Sequence, residues 1–420
     1  MNESSKTVAN LSRILDLNAK INSTLDLEEL LGILMNTAAE VMDAHAASLM
    51  LLDPSGKELI FKVALGCKAN QLKESFRVKV GEGIAGTVVE TRKALIVNDT
   101  QKDARFAKRF DASTGFKTEA ILCVPMHAKG KIIGILEAIN PKNRKEFNQD
   151  DLTLFQIFAD QAAIAVENAR LHTETISQEK TKQELKIAHE IQQNFLPDLT
   201  ENKFCFDIAA QNIPARQVGG DFYDVVQVEE GRVCVMIGDV SGKGVPAALY
   251  MVRAISEYRF LAPICKNPKE LVTRLNKILS KNAPFGMFVT LLCMTLDQKT
   301  KSLDYVSAGH HPLLARKKNG EIRELANTGG LPAGLSDESV YEQGASIIEA
   351  GDSFLAYTDG ITESRNLKGE EYGLHKLKES FCRGSLKAAE NTSAILQKVQ
   401  TFSEGTPAHD DATVLLIQIP

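Results

Sequence analysis

The sequence predicts an α+β protein with two folded domains joined by a long helix, and three observations predict it. Its 420 residues exceed what one hydrophobic core usually organises, at about 150 residues per domain. Two stretches carry strand-like apolar runs punctuated by turn residues. Between them, from Asp151 until Pro197, the chain has neither Gly nor Pro and repeats apolar residues at helical spacing. Apolar residues make up 44% and charged residues 25%, with Gly 28 and Pro 13, the profile of a globular chain with material for a buried core. The formal charge of -5 gives no chain-wide attraction for nucleic acid or an anionic membrane.

In the first stretch, Leu27, Leu30, Leu31, Leu34 and Val41 mark a helix over Leu25 to Met42, with Asp26 as its N-cap. Ser48 to Leu52 reads as a buried strand stopped by Asp53-Pro54-Ser55-Gly56, and Leu59 to Ala64 as its partner. Two further strands, Ala120 to His127 and Lys131 to Ala138, flank Ala128-Lys129-Gly130, a hairpin signal. An antiparallel sheet flanked by helices follows. With Val80-Gly81-Glu82-Gly83-Ile84-Ala85-Gly86, Ala94 to Asp99, Asp103-Ala104-Arg105-Phe106 and Leu122-Cys123-Val124-Pro125-Met126, residues 1–170 resemble a GAF domain. That resemblance implies a small-molecule sensor or dimerisation module. Cyclic-nucleotide-binding members carry an Asn-Lys pair and a later Phe-x-x-x-Asp-Glu. Here stand Asn98-Asp99 and Phe147-Asn148-Gln149-Asp150-Asp151, which depart from both.

Residues 171–202 read as a connecting helix or coiled-coil linker. Phe155, Phe158, Ala162, Ala165, Ala169, His172 and Ile176 recur at alternating three and four spacing, the seam of a helix that packs along a partner. A parallel homodimer through this Ala-rich seam is the expectation. From Ser177 to Glu184 the pattern lapses, and a hinge or change of phase is expected there before it resumes at Leu185.

Past Lys203 come strand runs at Phe204 to Ala210, Val225 to Val228, Val233 to Ile237, Val289 to Leu296, Tyr305 to Ala308, Phe354 to Tyr357 and Val414 to Ile419. Four acidic stretches adjoin strand ends: Gly219-Gly220-Asp221-Phe222-Tyr223-Asp224, Gly238-Asp239-Val240-Ser241-Gly242-Lys243-Gly244, Tyr357-Thr358-Asp359-Gly360 and His409-Asp410-Asp411-Ala412-Thr413. Singly, each reads as a turn. Two carboxylates about 4 Å apart repel by roughly 4 kcal/mol at an effective dielectric near 20, so four in one pocket need protons or cations. Oxygen donors without a His-Cys set favour Mn2+ or Mg2+ over zinc. A pair of such ions suits hydrolysis of a phosphate ester.

At these motifs, with Ala308-Gly309-His310-His311-Pro312, residues 203–420 resemble the SpoIIE-type branch of the metal-dependent PPM (type 2C-like) serine/threonine protein phosphatases. The resemblance implies an α-β-β-α sandwich with two metal ions at one end of its sheets. It implies that Asp239 bridges both ions, the Val240 carbonyl completes one shell, Asp359 and Asp410 bind the other ion, and Asp221 holds it directly or through water. Asp224 and Asp411 would lie in a surrounding layer. A water between the ions is the implied nucleophile. GAF domain, helix and phosphatase in this order resemble bacterial partner-switching regulators, whose substrates are phosphorylated anti-anti-sigma-type proteins. Control is expected when a signal changes the packing of the connecting helix.

The stretch from Gly238 to Gly244 lacks the spacing and the Ser or Thr of a P-loop, so Lys243 and Arg216 read as solvated loop cations. His310-His311-Pro312 offers either a proton donor to the leaving group or a turn. Seven Cys without a C-x-x-C pair, among them Cys67, read as reduced core thiols. The start of the chain, Met1 to Lys6, has no apolar leader, and a cytoplasmic address is expected. Two other functions stay open on the sequence: a catalytically silent sensor or scaffold, and a two-metal hydrolase of small phosphate esters.

Overall fold

The computed structural model describes residues 24–65, 77–107, 111, 116–199, 204–281, 283–325, 329–382 and 387–420; Cys67, Lys203 and residues 1–6 lie outside them. Two compact units divide the chain, Met1–Lys180 and Thr181–Pro420.

In the first unit Asp26 caps helix α1 (Leu27–Met42) by accepting from the Glu29 amide at 2.9 Å, worth about 1 kcal/mol. Strands β1 (Ala44–Leu52), β2 (Glu58–Leu65), β3 (Arg77–Lys79), β4 (Leu95–Val97), β5 (Ile121–Ala128) and β6 (Lys131–Pro141) form one antiparallel sheet in the order β3-β2-β1-β6-β5-β4. Lys129 and Gly130, both at positive φ, turn β5 into β6. Leu30, Leu34 and Met35 of α1 share a core with Phe155, Phe158, Ala162 and Ala169 of the long helix α3 (Gln149–Gln193). Ile84 and Val88 of helix α2 (Gly83–Thr91) pack into a separate cluster with other residues of the sheet.

Helix α3 corrects one expectation. The Ala-rich seam expected to meet a second chain is buried in its own unit, with Phe155, Ala162 and Ala169 fully covered. Small residues at three and four spacing let a helix approach a sheet as closely as another helix, so the pattern alone does not name the partner. His172 and Ile176, the last members of that seam, are exposed. A different stripe, Ile157, Ile164 and Leu171, faces outward at seven-residue spacing. The helix itself continues through 177–184, where every residue is exposed.

The second unit holds two antiparallel five-stranded sheets. One, in the order β14-β11-β10-β9-β8, contains β8 (Phe222–Glu229), β9 (Arg232–Val240), β10 (Val289–Asp297), β11 (Ser302–Ala308) and β14 (Gly344–Ile347). The other, in the order β13-β12-β15-β16-β7, contains β7 (Asp207–Ile213), β12 (Leu313–Arg316), β13 (Ile322–Leu325), β15 (Ser353–Tyr357) and β16 (Ala412–Gln418). Val235, Ile237, Leu292 and Met294 meet Phe354, Leu415 and Ile417 between the sheets. Helices α4 (Val245–Leu261) and α5 (Pro268–Ser280) share a core with the first sheet. After the short α6 (Asp359–Thr362), helices α7 (Gly373–Cys382) and α8 (Ala388–Phe402) do the same with the second. The result is an α-β-β-α sandwich.

Of the described cysteines, Cys123, Cys234, Cys265 and Cys293 are buried and free as expected, whereas Cys205 is half-buried and Cys382 is exposed. Cys205 packs at the margin of the inter-sheet core, and Cys382 is not a core thiol. Among the described residues no helix is long and apolar enough to cross a membrane.

Candidate active site

Antiparallel pairing brings the four acidic stretches to one edge of the sandwich. Phe222 pairs with Gly238, so Asp221, just before β8, lies beside Asp239 near the end of β9. Tyr357 pairs with Val414, so Asp359, just after β15, lies beside Asp410, just before β16. Two of the four thus precede their strands, because the start of one strand and the end of its antiparallel neighbour share an edge.

Asp221 is 3% exposed and joins the two sheets. One of its oxygens accepts from the hydroxyls of Thr358 and Thr413, each at 2.7 Å. Burial, and then the neighbouring Asp239, hold its carboxyl well above the ordinary carboxylate range despite those two bonds. The Asp239 carboxyl is pushed up to about 7 by burial first and by Asp359 and Asp410 next. Asp359 is raised by burial and Asp410, while His311 and Lys243 pull it down. These mutual effects place Asp221, Asp239, Asp359 and Asp410 within one electrostatic neighbourhood.

Asp411 stands at the site in a supporting role. One oxygen accepts from the Ala215 amide at 2.8 Å and the other from the Gly220 amide at 2.7 Å, which pins the loop that leads into Asp221. Gly360 has no room for a side chain: a Cβ there would lie 1.9 Å from the Asp411 carbonyl oxygen. Asp224 lies elsewhere, contrary to its expected place around the site. Strand alternation groups Phe222 with the helix-layer core and Tyr223 and Val225 with the inter-sheet core, and the Asp224 carboxylate pairs with Arg259 of α4 at 2.7 and 3.1 Å.

Lys243 is not simply solvated. Its ammonium donates to the Asp410 carboxylate and to the His409 carbonyl, each at 2.7 Å. Arg216 is exposed. His310 is buried, its Nδ1 stands 3.1 Å from the Thr290 hydroxyl, and burial pushes it down to about 3. His311 stacks on Tyr357 with ring centroids 5.3 Å apart. Sequence reasoning missed Thr358, Thr413 and Gln192. The last is buried near the end of α3, where its amide donates to the Gly219 carbonyl at 2.6 Å and accepts from the Gly219 amide at 3.2 Å. Helix and Asp221 loop are joined there.

Among the described residues no three His, Cys, Asp or Glu side chains form a ready-made shell around one point. The donor chemistry nevertheless suits a hard divalent cation. A Cβ built on Gly220 would lie 2.9 Å from the Val240 carbonyl oxygen and 3.3 Å from an Asp239 carboxylate oxygen, so both oxygens line one space that glycine keeps open. The repulsion from Asp359 and Asp410 that adds to burial in raising Asp239 is the kind a cation relieves.

Two layers of sheet between two layers of helix, with acidic side chains gathered at one shared edge, define a hydrolase of the type 2C-like phosphatase class. Residues 229–420 match the profile of the family Stage II sporulation protein E (SpoIIE), and residues 26–166 that of the GAF domain. The chain is 31% identical over 245 residues to the phosphoserine phosphatase RsbU of Bacillus subtilis (strain 168), covering 57% of this chain and 71% of RsbU. It is 29% identical over 262 residues to protein IcfG of Synechocystis sp. (strain ATCC 27184 / PCC 6803 / Kazusa), covering 56% of this chain and 41% of IcfG. The SiaA-PP2C domain of Pseudomonas aeruginosa has the same fold, with a TM-score of 0.52 at 20% identity over 58% of this chain and 99% of that one. The chain belongs to the SpoIIE-type family of type 2C-like protein serine/threonine phosphatases and carries a GAF domain ahead of the catalytic one.

Proposed function

We propose that the chain hydrolyses phosphoserine or phosphothreonine on a small regulatory protein of the anti-anti-sigma type, with two Mn2+ or Mg2+ ions as cofactors, in the cytoplasm. The carrying observation is the convergence of Asp221, Asp239, Asp359 and Asp410 on one edge of two sheets, where burial first, and Asp359 and Asp410 next, raise Asp239 to about 7. In this reading Asp239 and the Val240 carbonyl would hold one ion, and Asp239, Asp359, Asp410 and Asp221 would hold the other. Such ions, when bound, neutralise charge on the phosphoryl oxygens and acidify a water.

The protein's own groups set the geometry. Thr358 and Thr413 fix Asp221 in place, and Asp411 fixes the loop before it through the Ala215 and Gly220 amides. The water oxygen forms its bond to phosphorus as the ester oxygen leaves. One proton of that water passes, through solvent, to the departing oxygen and restores the serine or threonine hydroxyl, while the other stays on the inorganic phosphate that leaves. No side chain is acylated or phosphorylated.

Regulation in this reading runs from the GAF segment, residues 1–170, through the connecting helix, 171–202, to the catalytic segment, 203–420. The Gln192 amide on the Gly219 backbone supports a route by which the last turn of α3 reaches the Asp221 loop. A signal shifts the equilibrium only if its ligand binds one arrangement better. Pairing of two chains along Ile157, Ile164 and Leu171, a seven-residue repeat on the exposed side of α3, suits a homodimer.

The test is a panel of phosphoserine and phosphothreonine proteins, nucleotides and p-nitrophenyl phosphate, each with Mn2+ added or chelated. The expected result is metal-dependent turnover with the phosphoproteins preferred. Preference for nucleotides gives the small-ester hydrolase instead, and no turnover of any substrate gives the silent scaffold.

A further inference from the structure

The carboxylates of the acidic edge call for cations, and the substrate brings further negative charge. With Asp221, Asp239, Asp359 and Asp410 all ionised, two doubly charged ions only cancel them, so an arriving phosphoryl dianion meets no surplus of positive charge. A side-chain cation at the edge supplies one. Lys243 already stands there: its ammonium donates to one carboxylate oxygen of Asp410 and to the His409 carbonyl, each at 2.7 Å. The other Asp410 oxygen accepts from the Asp411 amide at 3.0 Å.

The Lys243 side chain is 42% exposed, and its backbone lies between Gly242 and Gly244, at φ 94° and 78°. Nothing lies within 4 Å of the place where a Cβ on Gly244 would stand, so the stem has room to swing. Lys243 also lines, with Gly220 and Asp410, the small cleft at the Asp221 loop, and Gly220 borders the space shared by the Val240 carbonyl and Asp239 oxygens. The ammonium thus stands beside the place where a phosphoryl group would sit.

An ammonium and a doubly charged ion on one carboxylate repel each other. We propose that Lys243 is first a stand-in cation and then a catalytic residue: its ammonium holds Asp410 until an ion engages that carboxylate, and afterwards donates to an oxygen of the substrate's phosphoryl group. The neutral His409 carbonyl keeps the ammonium at the edge through the exchange. This role rests on the phosphatase reading and adds a contact to the transferred group. Loss of the ammonium then has two effects of opposite sign: a competitor for Asp410 disappears, so a divalent ion binds more tightly, and a donor to the phosphoryl group disappears, so phosphate binds more weakly. A lysine that only braced its loop would weaken both when removed.

The experiment uses the full chain. Calorimetric titration of Mn2+ into chelator-treated protein gives the constant for the ion, and inhibition of p-nitrophenyl phosphate turnover by inorganic phosphate at saturating Mn2+ gives that for the anion. Lys243→Met, which keeps the stem without the charge, is expected to bind Mn2+ about two- to fivefold more tightly, the range of a half-exposed ion pair. It is expected to bind phosphate about tenfold or more weakly, as for a lost hydrogen bond to a charged group. Lys243→Arg should bring both constants back towards wild type, and a melting temperature shows that each variant is folded. Arg216→Met removes another cation of the same cleft and should leave the Mn2+ constant unchanged. Unchanged or weaker Mn2+ binding by Lys243→Met, an unchanged phosphate constant, or equal tightening by Arg216→Met overturns the inference alone. If wild-type protein takes up no Mn2+ or hydrolyses no phosphate ester, the phosphatase reading falls and this inference falls with it.

Discussion

Two regions bury carboxyl groups for different reasons. In the first unit Glu137 stands at a largely apolar cavity of about 100 Å3, accepts a hydrogen bond from the Ser48 hydroxyl, and is pushed up to about 7 by burial. In the second, Asp239 is pushed to the same value, but Asp359 and Asp410 add their repulsion to the effect of burial. A single buried acid relieves its cost by keeping its proton, and the neutral form serves the fold. A cluster relieved that way would lose its donors, whereas a cation keeps every oxygen charged and available. Similar shifts therefore point to different chemistry, and the neighbours decide which.

Breaking the cluster tests that contrast with the largest expected effect. Asp239→Asn and Asp359→Asn should each lower kcat on p-nitrophenyl phosphate by roughly a hundred- to a thousandfold, measured at saturating Mn2+. Retention of full activity in both would leave the cluster without a catalytic role.

The isolated acid comes next. The native state keeps the Glu137 proton up to about 7, whereas the group ordinarily releases it near 4.5. Folding thus takes up a proton between those values. The Glu137 contribution is undiminished below about 4.5, declines as pH rises towards 7, and stays low above it. Glu137→Gln should raise stability at pH 8 by about 3 kcal/mol and leave it nearly unchanged at pH 4, read from denaturant midpoints at the two pH values. Glu82 and Asp111 also line the cavity, so Glu82→Gln and Asp111→Asn are the controls. An equal effect of Glu137→Gln at both pH values would show that the shift lies elsewhere.

Thr413→Val gives the smallest change and sharpens the comparison, because it keeps the volume and removes one of the two hydroxyls on Asp221. A loss of about 1–3 kcal/mol in stability is expected, with a smaller effect when Mn2+ is present. A loss of the same size with and without the ion would make that hydroxyl purely structural.

Much of this was legible in the chain. The N-cap at Asp26, the 129–130 hairpin, the long helix and most of the longer strands follow from periodicity and turn chemistry, because those signals are local. The four-residue strands β12, β13 and β14 carry too few residues to show a period. The Ala-rich seam was misassigned because a helix that packs on its own sheet and one that packs on a second chain require the same spacing. At the site, each Asp was visible through its Gly-rich surroundings. Its supports were not: Thr358 and Thr413 reach Asp221 across 137 and 192 positions of sequence, and Gln192 reads as one more polar residue on a solvated helix until Gly219 is seen beside it. Asp224 and Asp411 looked alike in sequence, and only strand alternation and the amide bonds tell them apart.

Calorimetric titration of Mn2+ into the chelator-treated full chain, beside Asp239→Asn, is the most direct measurement. Saturable uptake by wild-type protein that is lost or strongly weakened in the variant is the result predicted by a cation-compensated carboxylate cluster. Absence of uptake, or uptake indifferent to Asp239, would contradict it.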